Sequence, residues 1–216
     1  LRVRMLLLVL LAVVPALGLV LYSGLEARYQ EGARAQEQVL QLVQRISRDQ
    51  EQAIKETRQL LITLAQLPAA RERDAEACSR ILGGISRLHV RYANLGAIRP
   101  DGSVFCSAVR VSASPNARDS GWFRQALRTR NFSVGQFHFG GITGKAVLTM
   151  AYPAIGGGEV AAVVFASLDL AWLNRYLSES LLPPGSVLSV IDRRGTVLAR
   201  YPDPEFWVGE NIGETP

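Results

Sequence analysis

The sequence predicts an α+β protein, and three observations predict it. A long stretch with a helical apolar period follows an uncharged N-terminal segment. The period then changes from about 3.6 to two. Strand-like segments bounded by Gly- and Asp-containing turns fill most of the remainder, with two short helical segments between them.

From Met5 to Leu25 no residue is charged, and Met5–Tyr22 is apolar throughout. About 20 helical residues at 1.5 Å each cross a hydrocarbon layer of about 30 Å. Arg2 and Arg4 precede this run. Positive charge stays on the cytoplasmic side, so the rest of the chain emerges on the other side. The apolar run is longer than that of a cleaved leader, and no small-x-small site follows it. Residues 1–25 are therefore expected to form a cytoplasmic stub and a transmembrane helix.

A helical pattern runs from Glu26 to Leu67, where Pro68 stops it. Val39, Leu42, Val43, Ile46, Ala53, Ile54, Thr57, Leu60, Leu61, Leu64 and Leu67 make one stripe. Such a stripe is a dimer seam or a face laid on a domain. Residues 26–72 are assigned to this stalk or dimerisation helix, which implies a homodimer. A second helix is expected over Arg73–Leu88, with Ile81, Leu82, Ile85 and Leu88 on its apolar face.

Strands are expected at Tyr92–Ile98 and Ser103–Val111, joined by the turn Pro100-Asp101-Gly102. Asp119 or Ser120 caps a helix over Gly121–Arg128. Three strands follow at Ser133–Phe139, Lys145–Ile155 and Val160–Leu168. Asp169 then caps a helix over Leu170–Leu181. Together residues 73–182 make a first module with a five-stranded antiparallel sheet. A second hairpin, Ser186–Asp192 and Thr196–Tyr201, leads into a loop-like tail. Leu95–Cys106 and Leu188–Ala199 resemble each other as strand, charged turn with Gly, strand. Two strands cannot bury a face alone, so residues 183–216 read as the truncated start of a second module.

The composition narrows the function. The chain has 216 residues, 48% hydrophobic, which excludes a disordered chain. Its net charge is +5, but the 22 Arg are scattered, so a nucleic-acid partner is not expected. Two Cys and two His do not make a structural zinc site, and no metal or cofactor is expected. In an oxidising compartment Cys78 and Cys106 pair as a structural disulfide, with two separate buried thiols as the alternative. There is no Gly-x-Ser-x-Gly elbow, no phosphate loop and no His-Glu-x-x-His, so enzymatic activity is not expected in this region.

The order of these elements resembles the double Cache domain, the PAS-like extracytoplasmic sensor of bacterial transmembrane signalling proteins. Histidine kinases, diguanylate cyclases and chemoreceptors carry it. The resemblance rests on Asp119-Ser-Gly-Trp-Phe-Arg-Gln-Ala-Leu127, Gly135-Gln-Phe137, Gly144-Lys-Ala-Val-Leu-Thr-Met-Ala-Tyr-Pro153 and Ala162-Val-Val-Phe-Ala-Ser-Leu-Asp-Leu-Ala-Trp-Leu173. It implies an inner-membrane protein with residues from about 26 onward in the periplasm. It also implies that residues 73–182 are a membrane-distal PAS-like module that holds a small-molecule ligand, that residues 183–216 begin a membrane-proximal one, and that an output region lies beyond this chain.

The same resemblance implies a pocket between the sheet and the layer that carries Trp122 and Phe123. Arg118 is a candidate for holding an anion. Tyr152, His138 and Arg91 are candidates from the strands. His138 lies between Phe137 and Phe139 and faces away from them if they share a side. Lys145 and Tyr152 are parity-opposed, and Tyr152 is preferred as the inward residue. Amino-acid-binding members have an Arg two positions before the Trp and an Asp on the last distal strand. Here Ser120 and Ser167 stand in those places. The expected ligand is thus an organic acid or other anion rather than an amino acid. The competing reading is a periplasmic module that binds a partner protein and has no small ligand.

Overall fold

The computed structural model describes residues 48, 51–111, 116–179 and 185–213. The expected membrane span and the first part of the stalk helix lie outside them. No helix among the described residues is long and apolar enough to cross a membrane.

Residues 51–66 are helical, here called α1. Pro68 ends that helix but also opens a short one, α2 (Pro68–Arg71), because proline fits the first helical turn. Then α3 (Ala75–Leu88) begins two residues later than its sequence pattern suggests. Asp74 is the reason: its carboxylate accepts the N–H groups of Glu76 and Ala77.

Five strands follow around a further helix. They are β1 (Tyr92–Ile98), β2 (Val104–Ser107), β3 (Ser133–Phe139), β4 (Ala146–Gly156) and β5 (Glu159–Asp169), with α4 (Gly121–Thr129) between β2 and β3. The sheet order is β2-β1-β5-β4-β3, antiparallel at every joint. Strand β2 is shorter than the expected Ser103–Val111. The Ala108 N–H still bonds the Leu95 carbonyl at 2.7 Å, and the Val109 N–H bonds Asn94 Oδ1 at 3.3 Å just past the end of the strand.

The sheet has two dissimilar faces. On one, Leu61 and Leu64 of α1, Ala70 of α2, and Cys78 and Leu82 of α3 pack on Leu95, Met150, Val164 and Ala166. On the other, Trp122, Phe123 and Ala126 of α4 pack on Ile98, Ala151, Val163 and Phe165. Cys78 and Cys106 are bonded, with their Cα atoms 5.8 Å apart, and fasten α3 to edge strand β2.

After α5 (Leu170–Ser178) come β6 (Leu188–Ile191), β7 (Val197–Tyr201) and α6 (Pro204–Trp207). The described part of α5 ends before the expected Leu181, and α6 falls in the tail that reads as loop. Pro204 in the first turn explains α6. Strand β7 buries Val197 and Ala199, and Asn174 of α5 accepts the Arg200 N–H.

The two hairpins share one turn design. Arg99 N–H bonds Ser103 O, and Asp192 N–H bonds Thr196 O. Gly102 and Gly195 have φ of +92° and +86°, which excludes an ordinary side chain at low cost. An asparagine closes each turn. Asn116 bridges Ser103, and Asn211 bridges Thr196. Each asparagine also accepts a backbone N–H two residues on, from Arg118 and Gly213.

Candidate ligand-binding face

The face that carries α4 is apolar near the helix and polar beyond it. Alternation along β5 puts Val163, Phe165, Ser167 and Asp169 on this face. Register extends it sideways: Thr149 pairs with Ser167, and Asn94 stands opposite Ser167. Ser107 lies opposite Gly96, which stands opposite Phe165. His138 pairs with Val147, which pairs with Asp169. Ser107, Asn94, Ser167, Thr149 and His138 thus form a stripe with one residue from each of the five strands.

Four of these side chains are nearly inaccessible: Thr149 at 1%, Asn94 at 2%, Ser167 at 7% and Ser107 at 8%. Buried polar groups cost free energy unless they are hydrogen-bonded, and these are. Asn94 Nδ2 donates to Ser107 Oγ at 3.0 Å, and the Ser107 hydroxyl returns a bond to Asn94 Oδ1 at 3.1 Å. Thr149 Oγ1 lies 2.9 Å from Ser167 Oγ and 3.3 Å from His138 Nε2. None of the five side chains is a carboxylate, an ammonium or a guanidinium.

Aromatic rings bound it. The Trp122 ring centroid is 5.9 Å from that of Phe165 and 6.2 Å from that of Phe123. Ser133 donates to the Trp122 carbonyl at 2.7 Å and anchors α4 to β3. Gly135 lets the indole approach the sheet, because a Cβ there would lie 2.8 Å from Trp122 Cδ1. At the far corner Lys145 Nζ meets Asp169 Oδ2 at 2.7 Å. The other oxygen of Asp169 accepts the Ala171 N–H and caps α5, as the sequence suggests.

The structure brings some of the expected site residues together and separates others. Trp122, Phe123, Ser167 and His138 share the α4 face, and His138 points away from Phe137 and Phe139 as its parity implies. Ser120 is the residue before α4, and its side chain makes no capping bond. Arg118 is exposed beside the β1–β2 turn, where its backbone bonds Asn116. Tyr152 is not brought to this face. It stands opposite Val164 and packs with the core under α1 and α3. The parity argument was sound, but it is Lys145 that shares the face with Trp122. Arg91 also turns elsewhere: its guanidinium bonds Glu56 of α1 at 2.8 Å and lies 6.0 Å from the Trp172 ring. Hydrogen bonds from Gln52 and Arg91 hold the Glu56 carboxyl below its ordinary range. Beside Arg91, the buried Tyr92 hydroxyl bonds Thr57 at 2.8 Å, and burial pushes its ionisation up.

Asn94, Ser107 and Thr149 are the stripe residues missing from the sequence analysis. Small polar residues inside strands look like turn or surface residues. Only the pairing register shows that they converge.

A Cache domain family model matches residues 30–214. The chain belongs to the Cache domain family. It is an extracytoplasmic sensor domain, and Cache domains are sensory ligand-binding modules. No curated protein matches it in sequence. Solved structures with the same fold include the sensor domain of the Vibrio cholerae histidine kinase DctB. It is 18% identical, with a TM-score of 0.65, and the match covers 87% of this chain and 73% of that one. The ligand-binding domain of the Campylobacter jejuni chemoreceptor Tlp3 with 4-methylisoleucine is 16% identical, with a TM-score of 0.56. That match covers 72% of this chain and 63% of the other, so the chain spans less than two thirds of the Tlp3 domain. The Pseudomonas fluorescens chemoreceptor CtaA with L-serine is 18% identical at a TM-score of 0.59, covering 76% of this chain and 70% of that one.

These neighbours correct one expectation. The Ser120 and Ser167 departures led the sequence analysis to set amino acids aside. Yet the chemoreceptor domains were solved with isoleucine, L-valine, L-serine, L-alanine and L-leucine. The exclusion also assumed that a zwitterion needs charged partners. Hydroxyl, amide and imidazole groups both donate and accept, so a stripe of such groups does not rule one out.

Proposed function

We propose that this Cache domain senses a small molecule held against the stripe Ser107–Asn94–Ser167–Thr149–His138, with Trp122 beside it. The row of four buried polar side chains and one imidazole, beside the apolar patch under α4, carries this reading. Ligand sites are mostly apolar with a few fixed polar groups, and a face with no ligand to orient has no use for five of them in line. Amino acids are the first class to test. Phe123, Arg118 and Ser120 belong to the same α4 side of the domain.

In this reading residues 1–25 anchor the chain in the inner membrane of a bacterium. Residues 26–72 form the stalk of a homodimer, and the rest lies in the periplasm. Residues 73–182 are the distal module. The repeated turn design of the two hairpins supports residues 183–216 as the start of a second PAS-like module. Ligand binding shifts the dimer between two arrangements and so controls a kinase, cyclase or chemotaxis output.

The competing reading, a module for a partner protein, draws on one observation: the Trp122 ring is largely spent on Phe165 and Phe123. A thermal-shift screen of the chain against amino acids, organic acids, amines and purines separates the two. A ligand at a hundred times its Kd adds about 2.7 kcal/mol of stability. A hit that is lost in a folded Ser167→Ala variant supports the sensor. No shift with any class favours the partner-binding module.

A further inference from the structure

The row His138–Thr149–Ser167 has a direction that can be worked out from its acceptors. His138 Nδ1 lies 3.0 Å from the Gln136 carbonyl oxygen. A carbonyl only accepts, so Nδ1 carries a proton. In a neutral ring Nε2 is then an acceptor. Thr149 has one hydroxyl proton and gives it to Nε2. Ser167 in turn gives its proton to Thr149. The outer end of the row then presents only lone pairs.

Protonation of the ring reverses both bonds of the row, while Nδ1–H stays on the Gln136 carbonyl. Nε2–H donates to Thr149, Thr149 donates to Ser167, and the Ser167 proton turns outward. Imidazole changes charge between about pH 5 and 8. The other charged groups on this face are Lys145 and Asp169, already paired with each other. The segment before α4 and the helix itself add the exposed Arg118, Asp119, Arg124 and Arg128.

We propose that the charge on His138 sets the polarity of Ser167, so that the neutral ring selects a ligand with an ammonium or other donor at that point. This rests on the reading that the face binds a small molecule. Such a sensor reports its ligand and the acidity of its surroundings together.

The test uses L-alanine, which keeps both its charges throughout, titrated into the full chain at about pH 5.5 and about pH 8. Binding about tenfold tighter at the higher pH is expected. That difference should vanish in both His138→Asn and Thr149→Val, each checked for an unchanged Tm. Equal affinity at the two pH values overturns the proposal. So does a pH dependence that survives Thr149→Val, since direct repulsion by the imidazolium then explains it. If L-alanine binds at neither pH, the amino-acid reading of the face fails separately. The relay is then decided by NMR of isotope-labelled histidine in a His89→Gln chain, where His138 is the one remaining imidazole. The Nδ1–H tautomer of the neutral ring supports the relay, and the Nε2–H tautomer overturns it.

Discussion

Reducing the Cys78–Cys106 bond is the perturbation with the most direct consequence for the fold. The two residues are 28 apart in sequence. The chain-entropy relation for a loop of that length gives about 3.6 kcal/mol of stabilisation. For a domain of this size each kcal/mol moves Tm by roughly 2–4 °C, so reduction should lower Tm by roughly 7–14 °C. The comparison is clean because reduction keeps both sulfur atoms and leaves the side-chain volume at the α3–β2 seam nearly unchanged. That seam keeps other bonds: Leu82 remains buried, and the Ser107 N–H still reaches Ser79 Oγ at 3.3 Å. The folded baseline should therefore survive reduction. The assay is thermal unfolding followed by circular dichroism, with and without a non-thiol reductant. A shift under about 2 °C would refute the loop-entropy reasoning. Two alkylatable thiols in the unreduced native protein would refute the bond itself.

Three further outcomes are expected. Gly135→Ala puts a methyl 2.8 Å from Trp122 Cδ1 and 2.9 Å from the Thr149 carbonyl oxygen. Overpacking there should cost about 1–3 kcal/mol and shift the tryptophan emission, and an unchanged spectrum and Tm would contradict the seat described for the indole. Tyr92→Phe removes the 2.8 Å bond to Thr57 and should cost about 1 kcal/mol near pH 7 in a denaturant titration. Burial raises the Tyr92 ionisation, so the neutral hydroxyl is the stabilised form: its contribution is complete below about pH 10 and falls as pH rises through the folded value. The gap between wild type and Tyr92→Phe should therefore narrow above about pH 10, and a widening gap would reverse the argument. Asp169→Asn keeps a capping oxygen but loses the charge opposite Lys145, which is itself half in water. A loss of about 1 kcal/mol or less is expected, read from the denaturation midpoint.

The sequence shows the sheet plainly, because strand alternation and Gly turns are local signals. Strand β3 lies where the pattern puts it, and Asp169 caps α5 for the reason its position suggests. The elements that were missed have double-valued causes. Pro68 and Pro204 each open a short helix, while a proline in sequence reads first as a stop. The site was legible only in part. Trp122 and Phe123 stand out by size, and His138 by its place between two phenylalanines. Choosing between Lys145 and Tyr152 needed to know which parity faces α4, and only the Ala151–Phe165 register settles that. Asn94, Ser107 and Thr149 have no signature apart from one another.

The stripe and the grip on α1 meet at one end of β1 and β5. Ser167 is two residues before Asp169, whose backbone N–H bonds the Arg91 carbonyl at 2.9 Å. Arg91 and Tyr92 are the residues that hold Glu56 and Thr57 of α1. A ligand that displaces the β5 end therefore acts on the same peptide units that fasten the helix. The magnitudes are suited to this. A buried hydroxyl bond and a half-exposed ion pair contribute about 1 kcal/mol each at most, which is within the 1–3 kcal/mol typical of coupling between sites. Further along α1, Leu61 and Leu64 are wholly buried in the core, and releasing each would cost about 1.5–3 kcal/mol. The weak polar grip at Glu56 and Thr57 thus yields before the apolar anchor.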